Sequence, residues 1–162
     1  MLVEYVWLDA LGNPRSKTRV INSPKKEKDE KKELEVPLWN YDGSSTGQAD
    51  GNNSDVILRP VAAFPDPFRG KECIMALCET LNTDLTPHAS NTRHLANKAF
   101  QKHKLLEPMF GIEQEFFLEN HGKILAFCDS ENQPTAQGDN YCGTNTLGRN
   151  IIETTFKRCI AA

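Results

Sequence analysis

Five short segments rich in β-forming residues occupy the first half of this 162-residue chain, and turn-forming residues bound most of them. Alternation of apolar and polar residues predicts a strand in each segment. The segments are residues 3–9, 17–22, 36–41, 56–64 and 73–81. Gly12, Asn13 and Pro14 lie between the first two, which predicts a hairpin. The first half of the chain is therefore predicted to form a β-sheet.

The pattern changes near residue 86. Residues 88–106 place five side chains on one helical stripe, with Ser90 or Asn91 as the predicted N-cap: Leu95, Ala96, Ala99, Phe100 and His103. The stretch FGIEQEFFLE (110–119) then alternates like a strand, and residues 148–162 form a second amphipathic helix pattern. Strands followed by helices predict the α+β class. We expect one domain over residues 1–86 and a partial second domain over 87–162, with helix–strand–helix order.

Composition excludes several classes of protein. The 19 basic and 22 acidic residues give a net charge of −3, which argues against nucleic-acid binding. No apolar run approaches the ~20 residues of a membrane span, and the first residues lack the basic start of a secretory signal. The five cysteines form no CxxC pair, so we expect reduced thiols and a cytoplasmic location. The four histidines show no metal-ligand spacing.

Two glutamates share one face of the strand predicted over residues 110–119. Glu113 and Glu115 are two positions apart, so their positions lie about 6.7 Å apart on one face. At an effective dielectric constant near 20, two such charges repel by roughly 2–3 kcal/mol. Solvent can screen this repulsion on an exposed face, and a bound Mg²⁺ or Mn²⁺ can offset it in a cavity. Alternation alone does not separate these two interpretations.

A second polar feature is the long loop DGSSTGQADGNNSD, residues 42–55. Asp42 directly follows an apolar strand end, where a carboxylate can act as a general base or hold a small cation. Asp-Gly is also a common turn dipeptide, and this structural interpretation stays open. The loop is not a P-loop, because no Gly-Lys-Ser/Thr follows at the required spacing. Any nucleotide here would need metal to hold its phosphates.

Taken in order, the motifs resemble the amino-terminal part of glutamine synthetase of the eukaryotic type. They run over nearly the whole chain: VWLDALG, KTRVINS, WNYDGSSTGQADGNNSDVILRPVAAFPDPFR, LCET, NTRH, FGIEQEFFL, YCG and GRNIIE…RC. WNYDGSST and FGIEQEFF are the most specific. The resemblance implies a β-grasp domain followed by the start of a catalytic domain.

The resemblance also implies a reaction and a set of site residues. ATP phosphorylates the γ-carboxylate of glutamate, and ammonia displaces the phosphate, with Mg²⁺ or Mn²⁺ as the metal. By motif, Glu113 resembles a ligand of the metal that accompanies ATP, and Glu115 a ligand of the second metal. Asp42 resembles the residue that takes a proton from ammonium, with Ser45 beside it and Tyr141 near the same site. The family also implies a ring-shaped homo-oligomer, in which the Asp42 loop completes the neighbouring subunit's site.

The chain departs from the family pattern in length and in one internal stretch. The family's sequence continues beyond RCIAA with further metal ligands and arginines, so we expect a truncated form that is inactive alone. Residues 125–140 also drift from the family, and Asn140 replaces a tyrosine. One alternative is a non-catalytic paralogue that binds full-length rings, and another is a bare β-grasp module. We further expect an exposed apolar patch near Ile152, Phe156 and Ile160.

Overall fold

The computed structural model of the protein describes residues 1–22, 36–70, 72–113, 115–124, 127–128, 133–134 and 148–160. The chain forms two compact units, Met1–Pro108 and Met109–Ala161. The boundary between these units lies after the first helix, whereas the change in sequence pattern predicts a domain boundary near residue 86. The boundary at residue 86 stays a prediction.

The first unit is built on a five-stranded mixed sheet. Its strands are β1 (Leu2–Leu8), β2 (Pro14–Val20), β3 (Trp39–Asp42), β4 (Asp55–Pro65) and β5 (Cys73–Leu81). Their order is β2-β1-β5-β4-β3; β1 and β5 are parallel, and the other neighbours are antiparallel. The five predicted strands are confirmed, as is the α+β class. β2 begins at Pro14, so the first turn is shorter than the sequence pattern predicts.

The core lies on one face of this sheet. Alternation in β1 buries every second residue, because successive side chains of a strand point to opposite faces. The buried cluster contains Val3, Tyr5, Trp7, Tyr41, Val56, Leu58, Ala76 and Cys78. The rings of Trp7 and Tyr41 lie 4.4 Å apart between centroids. The last residues of β3 are therefore fixed by core packing immediately before Asp42.

The first helix is α1 (Thr92–Lys102), as the stripe over residues 88–106 predicts. Asn91 is the N-cap: its side-chain oxygen accepts a hydrogen bond from the backbone N–H of His94 at 3.0 Å. The buried Asn91 side chain also donates to the carbonyl of Thr80 at 2.9 Å, which ties the helix start to β5. The apolar stripe itself is exposed, with Leu95 and Phe100 at its centre.

Apart from its helix over Arg149–Ile160, the second unit contains little regular structure among its described residues. Two short hairpins pair β6 (Glu119–Asn120) with β7 (Lys123–Ile124) and β8 (Phe127–Cys128) with β9 (Gln133–Pro134). Among the described residues of the predicted segment 110–119, only the last, Glu119, lies in a strand, so the predicted length is wrong. A strand needs a neighbour to pair with, and the described strands of this unit are two residues long.

The last helix is α2 (Arg149–Ile160), as predicted. Ile152, Phe156 and Ile160 are exposed on it, which confirms the expected apolar patch. Gly148, directly before the helix, packs against Leu118, so a larger side chain there would clash. Neither helix in the described ranges has the length and apolarity that crossing a membrane requires.

Candidate functional site

Asp42 lies at the end of β3, where the strand passes into a single 3₁₀ turn, Gly43–Thr46. Its side chain is exposed and caps that turn. One carboxylate oxygen accepts hydrogen bonds from the backbone N–H of Ser44 at 2.9 Å and from the Ser44 hydroxyl at 2.6 Å. These bonds from Ser44 hold the pKa of Asp42 below its ordinary value. Asp42 therefore presents a fixed negative charge at neutral pH.

Two glycines make this turn possible. Gly43 is buried, and a Cβ atom on it would lie 2.5 Å from Val56 Cγ2 and 3.0 Å from Ala49 Cβ. The Gly43 N–H donates to the carbonyl of Ser54 at 2.6 Å, which closes the base of the loop. Gly47 ends the turn at φ +70°, a left-handed conformation that favours glycine. The residues of DGSSTG thus fix the backbone that carries Asp42.

A buried glutamine anchors the far end of the same turn. Gln48 contacts three separate parts of the first unit: the Tyr41 hydroxyl, the Leu8 carbonyl and the Ser90 hydroxyl. Burial raises the pKa of Tyr41 to about 12, so its phenol stays protonated and can donate. Neither Gln48 nor the side chain of Ser90 is among the predicted site residues. Partners 40 or more positions apart leave no local pattern by which they could be found.

Two other residues, Ser45 and Tyr141, are predicted to lie near Asp42, and the structure describes the first of them. Ser45 is exposed on the same 3₁₀ turn as Asp42. Tyr141 lies outside the described residues, so its predicted place near the ammonium site stays a prediction.

The hydrogen bonds of Asp42 alone do not mark a functional residue. Asp84 repeats them in another exposed loop of the same unit: it accepts from Thr86 N–H at 2.9 Å and from the Thr86 hydroxyl at 2.6 Å. Those bonds likewise lower the pKa of Asp84. What distinguishes Asp42 is the buried anchoring of its loop at Gly43 and Gln48. Asp84 therefore serves as an internal reference for a purely structural aspartate turn.

Glu113 and Glu115 lie in the second unit, and neither residue belongs to a helix or a paired strand. Both are exposed. Within the described ranges, no three His, Cys, Asp or Glu side chains lie together as a metal site would need. The two glutamates supply oxygen ligands of the kind that Mg²⁺ and Mn²⁺ prefer, but they do not make a complete site.

Comparison with known proteins agrees with the fold of the first unit. The family model described as "Glutamine synthetase, beta-Grasp domain" matches residues 1–83. Glutamine synthetases of Colletotrichum gloeosporioides and Neurospora crassa are 44% and 45% identical over 99% and 100% of this chain. That of Streptomyces hygroscopicus is 40% identical over 98% of it.

This chain spans less than half the length of these curated relatives: 44%, 45% and 46% in the same order. All five strands of its sheet lie within the matched residues, since β1 begins at Leu2 and β5 ends at Leu81. The chain belongs to the glutamine synthetase family and carries the family's β-grasp domain over residues 1–83.

Proposed function

We propose that this chain is the amino-terminal part of a glutamine synthetase that ligates ammonia to glutamate with ATP, through γ-glutamyl phosphate. The observation that carries the proposal is the exposed Asp42 carboxylate at the end of β3, on a turn that the buried Gly43 and Gln48 anchor. Preorganised charge of this kind needs no rearrangement when the reaction occurs.

In this proposal Asp42 attracts ammonium and takes a proton from it. Its lowered pKa keeps the carboxylate ionised, which favours binding of a cation over strong basicity. Ammonia released beside the carboxylate would then attack the phosphorylated glutamate. Ser45 on the same turn, and Tyr141, would line this part of the site. Because the Asp42 turn is exposed, it can complete a site on a neighbouring subunit of a ring in the cytoplasm.

Glu113 and Glu115 would each hold a Mg²⁺ or Mn²⁺ ion, together with ligands from outside the described residues. When bound, such ions neutralise phosphate charge and polarise the transferring group. Two exposed carboxylates bind a divalent ion weakly by themselves. We therefore propose that the 162-residue chain forms no glutamine from glutamate, ammonia and ATP when assayed alone.

A chimera tests the role of Asp42 in a complete enzyme. Residues 1–108 of this chain would replace the matching residues of the full-length Neurospora crassa relative, and glutamine formation would be measured. We expect an active chimera that loses activity by about 100-fold or more on Asp42→Asn, since general acid–base groups contribute about 10²–10⁴-fold.

The matched control is Asp84→Asn in the same chimera, because Asp84 makes the same two hydrogen bonds as Asp42. This variant should retain activity within about 2-fold, as removal of a surface charge away from a site costs little. Equal losses in both variants would show that the Asp42 effect is structural. Full activity of the Asp42→Asn chimera would contradict the proposed function.

A further inference from the structure

We propose that Gln48, with His88 and Ser90, is a positioning element for Asp42. These three side chains form a buried hydrogen-bonded link that fixes the turn on which Asp42 sits. The inference rests on the proposed function for the meaning of Asp42, but the link itself can be tested without catalysis. None of the three residues is placed in contact with a substrate; they act through the backbone of the Gly43–Thr46 turn.

The orientation of the Gln48 amide follows from its partners. The Leu8 carbonyl can only accept a hydrogen bond, so the atom 3.2 Å from it must be the donating Nε2. Oε1 then faces the Tyr41 hydroxyl, which donates to it at 2.5 Å. The second N–H of the amide donates to the Ser90 hydroxyl oxygen at 2.8 Å. Gln48 is only 6% exposed, so each of these bonds would be costly to leave unmade.

The protonation of His88 follows in the same way. The backbone carbonyl of Gln48 lies 2.6 Å from His88 Nε2 and can only accept, so Nε2 must carry the proton. In the neutral ring Nδ1 is then an acceptor. It receives the Ser90 N–H at 3.1 Å and faces the Ser90 hydroxyl at 2.9 Å. The hydrogen bonds thus form a closed circuit, from the Gln48 amide to Ser90, to His88 and back to the Gln48 carbonyl.

This circuit reaches Asp42 through the turn. The Gln48 N–H donates to the Gly43 carbonyl at 2.8 Å, and Gly43 directly follows Asp42. The Thr46 hydroxyl donates to the same carbonyl at 3.0 Å. Because Gln48 is held at its side chain, its N–H and its carbonyl, it restrains the turn on which Ser44 donates to Asp42. Loss of the circuit would free the turn and weaken those two bonds.

Nuclear magnetic resonance on the whole chain tests the link in two ways. In the unaltered protein, ¹⁵N spectra of His88 should show the neutral ring protonated at Nε2. In the Gln48→Ala variant, titration of ¹³C-labelled aspartate carboxyls should show that the midpoint of Asp42 has shifted towards that of an aspartate in an unstructured peptide. Ser90→Ala should shift the midpoint in the same direction by less, because it removes one partner of Gln48 and leaves the others.

The control is Val3→Ala, which destabilises the same sheet from the fully buried core without touching the turn. It should lower the melting temperature and leave the Asp42 midpoint unchanged. An unchanged midpoint in Gln48→Ala, or an equal shift in Val3→Ala, would overturn the proposal. If Gln48→Ala does not fold, the Asp42 midpoint in Ser90→Ala and the tautomer of His88 test the proposal instead. A His88 ring protonated at Nδ1 would overturn the proposal. Failure of the chimera to make glutamine would instead overturn the proposed function and would not affect the Asp42 midpoints or the His88 tautomer.

Discussion

The two compact units carry different candidate residues, and among the described residues those of the first unit lie in a packed framework whereas those of the second are exposed. Asp42 is the last residue of β3, which is paired with β4 and anchored by the buried Tyr41. Glu113 and Glu115 lie in a segment where Ile112 is 91% and Phe117 78% exposed. Among the residues of the second unit whose burial is described, only Gly148 is buried.

Both segments have strand-like sequences, so the difference does not come from local propensity. A strand forms where a neighbour completes its hydrogen bonds and covers its apolar face. β3 has β4 beside it over Trp39–Asp42, whereas the described strands of the second unit are only two residues long. A motif specifies the chemistry that a segment can perform, and its packing partners specify whether the groups are held in place.

The largest expected difference between the units is in core substitutions. Leu58→Ala removes a fully buried side chain from β4 and should lower the free energy of unfolding by about 2–5 kcal/mol. Ile112→Ala, at a 91% exposed position, should change it by less than about 0.5 kcal/mol. Urea denaturation of both variants checks the comparison. Similar losses in the two variants would mean that residue 112 is packed in the folded chain.

The Asp42 turn itself is the next region to disturb. Gly43→Ala should cost about 1–3 kcal/mol, because the new Cβ would lie 2.5 Å from Val56 Cγ2. Gly51→Ala is the matched control in the same loop, since a Cβ there meets nothing within 4 Å. Thermal unfolding should separate the two variants. A Gly43→Ala protein as stable as Gly51→Ala would show that this loop is not held against β4.

A third expected effect concerns pH and the buried Asp9 at the end of β1. Burial raises its pKa, but hydrogen bonds from Asn13, Arg15 and Leu11 outweigh burial and hold the pKa at about 2. A lowered folded-state pKa stabilises the fold above the unfolded value of about 3.9, and this stabilisation is lost as the pH falls through about 2.

Asp9→Asn should therefore lower stability at pH 7 and flatten the loss of stability between pH 4 and pH 2. Urea denaturation at several pH values measures this slope. The same acid-induced loss in the variant and in the unaltered protein would show that Asp9 is not the group responsible.

The smallest expected effect is at a contact between β2 and β3, the two outermost strands of the first sheet. Lys17 Nζ lies 3.7 Å from the centroid of the Trp39 ring and donates to the Asn40 carbonyl at 2.9 Å. Lys17→Met should cost about 0.5–1 kcal/mol through the lost cation–π contact. Lys98→Met on the exposed surface of α1 is the control and should be neutral. Chemical denaturation of both variants at equal salt measures the difference in their free energies of unfolding. Equal values would show that the contact between Lys17 and Trp39 does not stabilise the fold.

Much of the fold could be predicted from local patterns. All five strands of the sheet, both helices and the Asn91 cap follow from alternation, helical stripes and capping chemistry. The position of Asp42 at a strand end followed from the same patterns. The bonds of Gln48 to Leu8, Ser90 and His88 could not be predicted, because they join residues 40 or more positions apart. The strand over residues 110–119 was wrongly predicted because alternation says nothing about whether a partner strand is present.

Backbone hydrogen exchange followed residue by residue tests the central contrast most directly. Amides of the buried strands, such as those of Val3, Tyr5 and Leu58, should exchange only through global unfolding. The amides of Gly43 and Gln48, whose acceptors are Ser54 and Gly43, should be protected with them. Those of Ile112 and Phe117 should exchange close to the rate of an unfolded chain. Protection at Ile112 and Phe117 equal to that in the sheet would contradict the account. It would show that the segment carrying Glu113 and Glu115 is held as firmly as the Asp42 turn.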